Sequence, residues 1–95
     1  MTSKQRAYLR GIANSVEAIF QVGKNGINDN LIKQLDDALE ARELIKISVL
    51  ETAPNMTREV ADMIAAKTNS EVIQIIGSKF CLYRQREEPT LMLPK

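Results

Sequence analysis

The chain has 95 residues, 44% apolar and 4% aromatic with no tryptophan, a size and composition that point to one domain with a modest aliphatic core. No apolar run approaches a membrane span, no secretory signal follows the first basic residues, and a lone cysteine without any histidine argues against a disulfide or a zinc site, so a cytoplasmic location fits. The net charge of +1 conceals sorting along the chain: residues 1–27 carry Lys4, Arg6, Arg10 and Lys24 against Glu17, residues 28–43 carry five acids against Lys33 and Arg42, and residues 77–86 carry Lys79, Arg84 and Arg86 with no acid.

The first predicted element is a helix over 3–14. Ser3 is a suitable cap, and Ala7, Tyr8, Ile12 and Ala13 recur at helical spacing. Arg6 and Arg10, four apart, share one face of it. Residues 18–22, Ala-Ile-Phe-Gln-Val, read as a short strand, and Gly23-Lys24-Asn25-Gly26 as the turn after it. Asn28 is a good N-cap for a second helix, whose Leu31, Ile32, Leu35, Ala38, Leu39 and Arg42 form a stripe. Residues 44–50 alternate, with Ile45, Ile47 and Val49 on one face and Lys46 and Ser48 on a wet one. Pro54 and Asn55 interrupt, and a third helix covers roughly 57–68, with Val60, Met63, Ile64 and Lys67 on one side. Val72 to Ile76 and Phe80 to Arg84 are strands joined by a two-residue hairpin turn at Gly77-Ser78. Residues 87–95 hold two prolines and read as a flexible tail, although Leu91, Met92 and Leu93 suit docking.

The order α-β-α-β-α-β-β predicts an α/β domain over residues 1–86. Strands joined through helices favour parallel pairing, and the last hairpin adds an antiparallel pair. A four-stranded mixed sheet follows, with helices mainly on one face and a partly polar face left open.

Catalytic chemistry finds little support. No histidine is present to act as a general base, and Cys81 lies mid-strand, where a small buried hydrophobe is expected. Asp36 and Asp37 are adjacent and diverge around their helix. No catalytic residue, metal ligand set, cofactor or small-molecule substrate is expected. The glycine loop is more suggestive. Glycine admits unusual backbone geometry and close approach, the helix behind offers free N–H groups and a positive dipole end, and Lys24 adds a mobile charge. These suit a phosphate oxygen. Alone, a Gly-x-x-Gly turn is a common strand-to-helix connection, and it lacks the ending of a nucleotide P-loop. It gains meaning if Arg6, Arg10, Arg84 and Arg86 surround it, because the planar guanidinium matches phosphate.

Four segments stand together in register: Ser-Lys-Gln-Arg-Ala-Tyr-Leu-Arg at 3–10, Gln-Val-Gly-Lys-Asn-Gly-Ile at 21–27, Ala-Leu-Glu-Ala-Arg-Glu-Leu-Ile-Lys-Ile at 38–47, and Val-Ile-Gln-Ile-Ile-Gly with Leu-Tyr-Arg between 72 and 84. Their order and spacing resemble the CRM domain (chloroplast RNA splicing and ribosome maturation) in its single-domain bacterial YhbY-like form, over residues 2 to 86. The resemblance implies a fold similar to the C-terminal domain of translation initiation factor 3. It also implies a loop like that of KH domains at Gly23, Lys24, Asn25 and Gly26, and a basic first helix carrying Lys4, Arg6 and Arg10. The partner it implies is RNA, in precursors of the large ribosomal subunit for bacterial members and in introns for plant relatives. Many relatives carry an Ala-His pair where this chain has Ala13-Asn14. With only Tyr8 and Tyr83 as tyrosines, recognition of shape and backbone is expected rather than a base code, by a monomer away from membranes. Gly26→Asp is expected to weaken binding while leaving thermal stability nearly unchanged. The competing reading is a protein-interaction module that docks on ribosomal particles through the acidic second helix or the tail.

Overall fold

The computed structural model describes residues 1–86 together with Leu93 and Pro94. Residues 87–92 and 95, which include most of the expected tail, lie outside the described residues. The elements are α1 (Ser3–Ala13), β1 (Ala18–Val22), α2 (Asp29–Arg42), β2 (Leu44–Val49), α3 (Thr57–Thr68), β3 (Glu71–Ile76) and β4 (Lys79–Tyr83). This is the predicted order. The first cap moves by one residue: Thr2, not Ser3, accepts from the Gln5 amide, and the Gln5 side chain accepts from the Thr2 amide. Such a capping box satisfies two orphan donors of the first turn, which a lone serine cap would not. Asn28 caps α2 as expected, its Oδ1 accepting from Leu31 N at 2.8 Å.

The sheet runs β1-β2-β4-β3. β1 and β2 are parallel, joined through α2, and β4 lies antiparallel between β2 and β3. The hairpin therefore folds its second strand into the middle of the sheet. Gly77 takes a positive φ of 59° in the turn, and Ile76 pairs with Lys79 across it.

One face of the sheet carries the main core. Ile45, Ile47 and Val49 of β2 and Phe80 and Leu82 of β4 meet Leu35 and Leu39 of α2 and Val60, Ala61 and Ile64 of α3. Burial of this apolar area is the dominant favourable contribution to folding. The buried stripe of α3 is Val60, Ala61, Ile64 and Thr68, one residue round from the predicted stripe, and Met63 stands exposed.

The opposite face is not left open along its whole length. α1 lies across part of it, with Leu9 and Ala13 packed on Leu44, Ile73, Cys81 and Tyr83, and Leu93 beside them. Gln5 reaches the Pro94 carbonyl at 3.0 Å. Leu44, on the same side of β2 as Lys46 and Ser48, thus faces a helix, and Tyr83 is buried beside it. Two helices on one face and one on the other make three layers. The uncovered remainder of this second face keeps Lys46, Ser48, Gln74 and Lys79.

The α2–β2 junction is tight. Glu43 follows the helix with φ 65°, a left-handed backbone uncommon outside glycine, and is fully buried. It belongs to the interior rather than to the solvated acidic face. Burial first, and then the Glu43 charge, push the Tyr83 phenol up from its ordinary range. No helix among the described residues is long and apolar enough to cross a membrane.

Candidate nucleic-acid interface

Parallel β1 and β2, with β3 running the same way, bring three connections to one edge of the sheet. They are residues 23–28 after β1, residues 50–56 after β2, and the Gly77-Ser78 hairpin after β3. The starts of α2 and α3 lie at the same edge. In open α/β sheets this strand-end edge is where ligands gather.

Gly23-Lys24-Asn25-Gly26 forms a closed turn, the Gly26 amide donating to the Gly23 carbonyl at 2.9 Å. Lys24 and Asn25 project as exposed residues, and Lys24 makes no ion pair among the described residues. The turn opens into a shallow depression bordered by Gln21, Asn28, Leu31, Leu50 and Thr52. The two glycines have different roles. Gly26 has φ 64°, and a Cβ there would stand 3.1 Å from Pro54 Cγ. A Cβ on Gly23 would meet only ordinary contacts with Leu50 and Thr52, at 3.6 and 3.9 Å. Gly26 is therefore needed by the fold. The expectation that Gly26→Asp would leave stability nearly unchanged is corrected by this geometry. The loop after β2, with Leu50, Thr52 and Pro54, supports the turn from behind, a contact without a local sequence signal.

The arginines do not converge on this loop. Arg6 donates to the Val72 carbonyl at 2.7 Å and pairs with Glu71 at 3.4 Å, at the start of β3 and so at the opposite edge. Arg84 follows β4, whose antiparallel course carries it to that opposite edge as well. Its guanidinium is taken up inside the molecule, bonding the Thr68 carbonyl at 2.8 Å, the Asp36 carbonyl at 3.0 Å, and the Asp36 and Glu40 carboxylates. With a side chain 20% exposed, Arg84 ties β4 to α2 and α3. A single strand separates Lys79 at the loop edge from Arg84 at the other, which is why the basic segment 77–86 does not act as one cluster. Lys4 and Arg10 are exposed on α1, and Arg86 is partly exposed beyond β4. The loop edge carries Lys24 and Lys79, and the α1 side of the molecule carries Lys4 and Arg10.

Three acids of α2 are engaged in ion pairs as well. Asp36 and Glu40 answer Arg84, and Asp37 pairs with Lys33 at 3.7 Å one turn away. Cys81 is buried, as its mid-strand position predicted. Burial pushes its thiol up, against smaller opposing effects from Lys46 and a Gln74 hydrogen bond.

The fold and this edge define a small α/β domain that presents a glycine turn between a strand and the N-terminus of a helix. The CRS1/YhbY (CRM) domain model matches residues 1–84, and the chain belongs to that family. It is 46% identical over 88 residues to a Bacillus subtilis protein named Probable RNA-binding protein YqeI, covering 93% of this chain and 92% of that one. A Haemophilus influenzae protein named RNA-binding protein is 28% identical over 95 residues, covering 100% of this chain and 96% of its own. The solution structure of the hypothetical protein SAV1595 from Staphylococcus aureus superposes with a TM-score of 0.82, at 46% identity and 99% coverage of both chains.

Proposed function

We propose that this chain binds structured RNA through its phosphate backbone, with the turn at residues 23–26 as the anchor, and that it acts in assembly of the large ribosomal subunit. The observation that carries the reading is the exposed, unpaired Lys24 on a closed glycine turn beside the N-terminus of α2, in a chain of the CRM family whose relatives are named RNA-binding proteins. Lys24 supplies charge to a phosphate, the helix start supplies oriented amides, and the turn admits close approach. Lys79, Lys4, Arg10 and Arg86 extend the positive surface. Arg6 and Arg84 contribute mainly to holding the fold. The engagement of Asp36 and Glu40 by Arg84 leaves less of the acidic helix for a protein partner.

The test is titration of structured ribosomal RNA with wild type and Lys24→Glu at matched salt. The variant is expected to bind roughly tenfold or more weakly with its melting temperature unchanged, since a favourable phosphate contact becomes a repulsive one. Equal affinity would contradict the reading. Sedimentation of the protein with large-subunit precursors, lost on RNase treatment, tests the assembly role. RNase-resistant association would favour docking through protein contacts.

A further inference from the structure

The uncovered part of the second sheet face holds a depression of roughly 120 Å³, open to solvent on one side. Asn14, Lys46, Gln74, Ile76 and Lys79 line it, over a floor that includes Cys81. No acid lines it, and neither lysine makes an ion pair among the described residues. Gln74 pairs in register with Cys81 across the β3–β4 hairpin, and Ile76 is 63% exposed although it is a large aliphatic in a strand.

A row of register partners connects this depression with the glycine loop. Gln21 borders the loop and pairs in register with Ser48, Ser48 with Lys79, and Lys79 with Ile76. Register partners share a face, so a polar row crosses the sheet from the loop to the depression. Two strand spacings, about 10 Å, separate Gln21 from Lys79 along it. A chain of nucleotides anchored at Lys24, as proposed above, would be led along this row.

We propose that the depression is a subsite for an unpaired nucleotide of the bound RNA, with Lys46 and Lys79 on its phosphate, the Asn14 and Gln74 amides on its base edge, and Ile76 against its base. The proposal rests on the RNA-binding reading above and adds a preference to it. Side-chain amides offer a donor and an acceptor together, the pattern that base edges present. A paired base hides that edge, so the subsite selects RNA with a loop or bulge over a continuous duplex.

The experiment compares a hairpin with an unpaired loop and a fully paired duplex of equal length, by fluorescence anisotropy at fixed salt. Wild type is set against Lys46→Gln/Lys79→Gln and against Asn14→Ala/Gln74→Ala, each shown to be folded by circular dichroism. The Asn14→Ala/Gln74→Ala pair is expected to lose roughly tenfold on the hairpin and less than about twofold on the duplex, while the lysine pair weakens both RNAs and the hairpin by at least about threefold more. Equal losses on both RNAs would overturn the nucleotide subsite in favour of general charge. Unchanged hairpin affinity, with Lys24→Glu still weakened, would overturn the subsite alone. Failure of wild type to bind either RNA would overturn the RNA-binding reading and the subsite with it.

Discussion

Gly26 holds a left-handed backbone with Pro54 close against it, whereas Gly23 is in an ordinary environment. Gly26→Ala should therefore cost about 1–2 kcal/mol, a fall of roughly 5–15 °C in melting temperature, while Gly23→Ala should stay within about 0.5 kcal/mol. Thermal melts of the two variants check this, and equal losses would contradict the assigned asymmetry. Arg84 is a second case in which a residue's work is set by its surroundings. A lysine keeps the charge but cannot reach two carbonyls and two carboxylates from one planar fork. Arg84→Lys should lose about 1–3 kcal/mol of stability in urea denaturation while RNA affinity holds. A loss of affinity at unchanged stability would instead return Arg84 to the RNA surface. At Cys81, burial raises the thiol above its ordinary range, so the folded protein favours the protonated form. That contribution is complete below the ordinary thiol range and fades as pH rises through the shifted value. Thiol-reactive dye at mildly alkaline pH should label native protein slowly and denatured protein fast.

The elements were mostly legible in the sequence because each announces itself locally. Alternation marks β2, three-and-four spacing marks α2, and Asn28 and Gly77 punctuate the chain where caps and turns require them. The position of α1 was not legible. The stripe read from spacing, Ala7, Tyr8, Ile12 and Ala13, is only partly the buried one: Ala7 and Tyr8 are exposed, and the tertiary fold buries Leu9 with Ala13 on the sheet face opposite α2 and α3. The same limit explains Leu44, which lies on the side of β2 that alternation gave to water and is buried under α1. If α1 anchors on this second core, Leu9→Ala should cost about 2–5 kcal/mol, since Leu9 is fully buried there. A small loss would show that α1 contributes little to the domain.

Across the whole molecule, sheet topology decides which charges meet. The sequence showed two basic segments and one glycine loop; their common location depended on strand direction, which no local pattern encodes. The antiparallel β4 carries Arg84 away from the loop, and β3 holds Arg6 at that same far edge. What gathers at the loop edge is the turn itself, with Lys24, and Lys79 across the polar row. The RNA surface proposed for this CRM domain is thus an edge continued onto a sheet face. Its affinity should depend on salt through released counterions, each phosphate contact adding about 0.7–0.9 to the slope of log K against log salt. The decisive measurement is that slope for wild type and Lys24→Gln on one structured RNA. The variant should lower it by about one contact's worth, near 0.7–0.9, and weaken binding to RNAs of different sequence to a similar degree. Parallel lines with the same slope and intercept would contradict the assignment of Lys24 as the phosphate anchor.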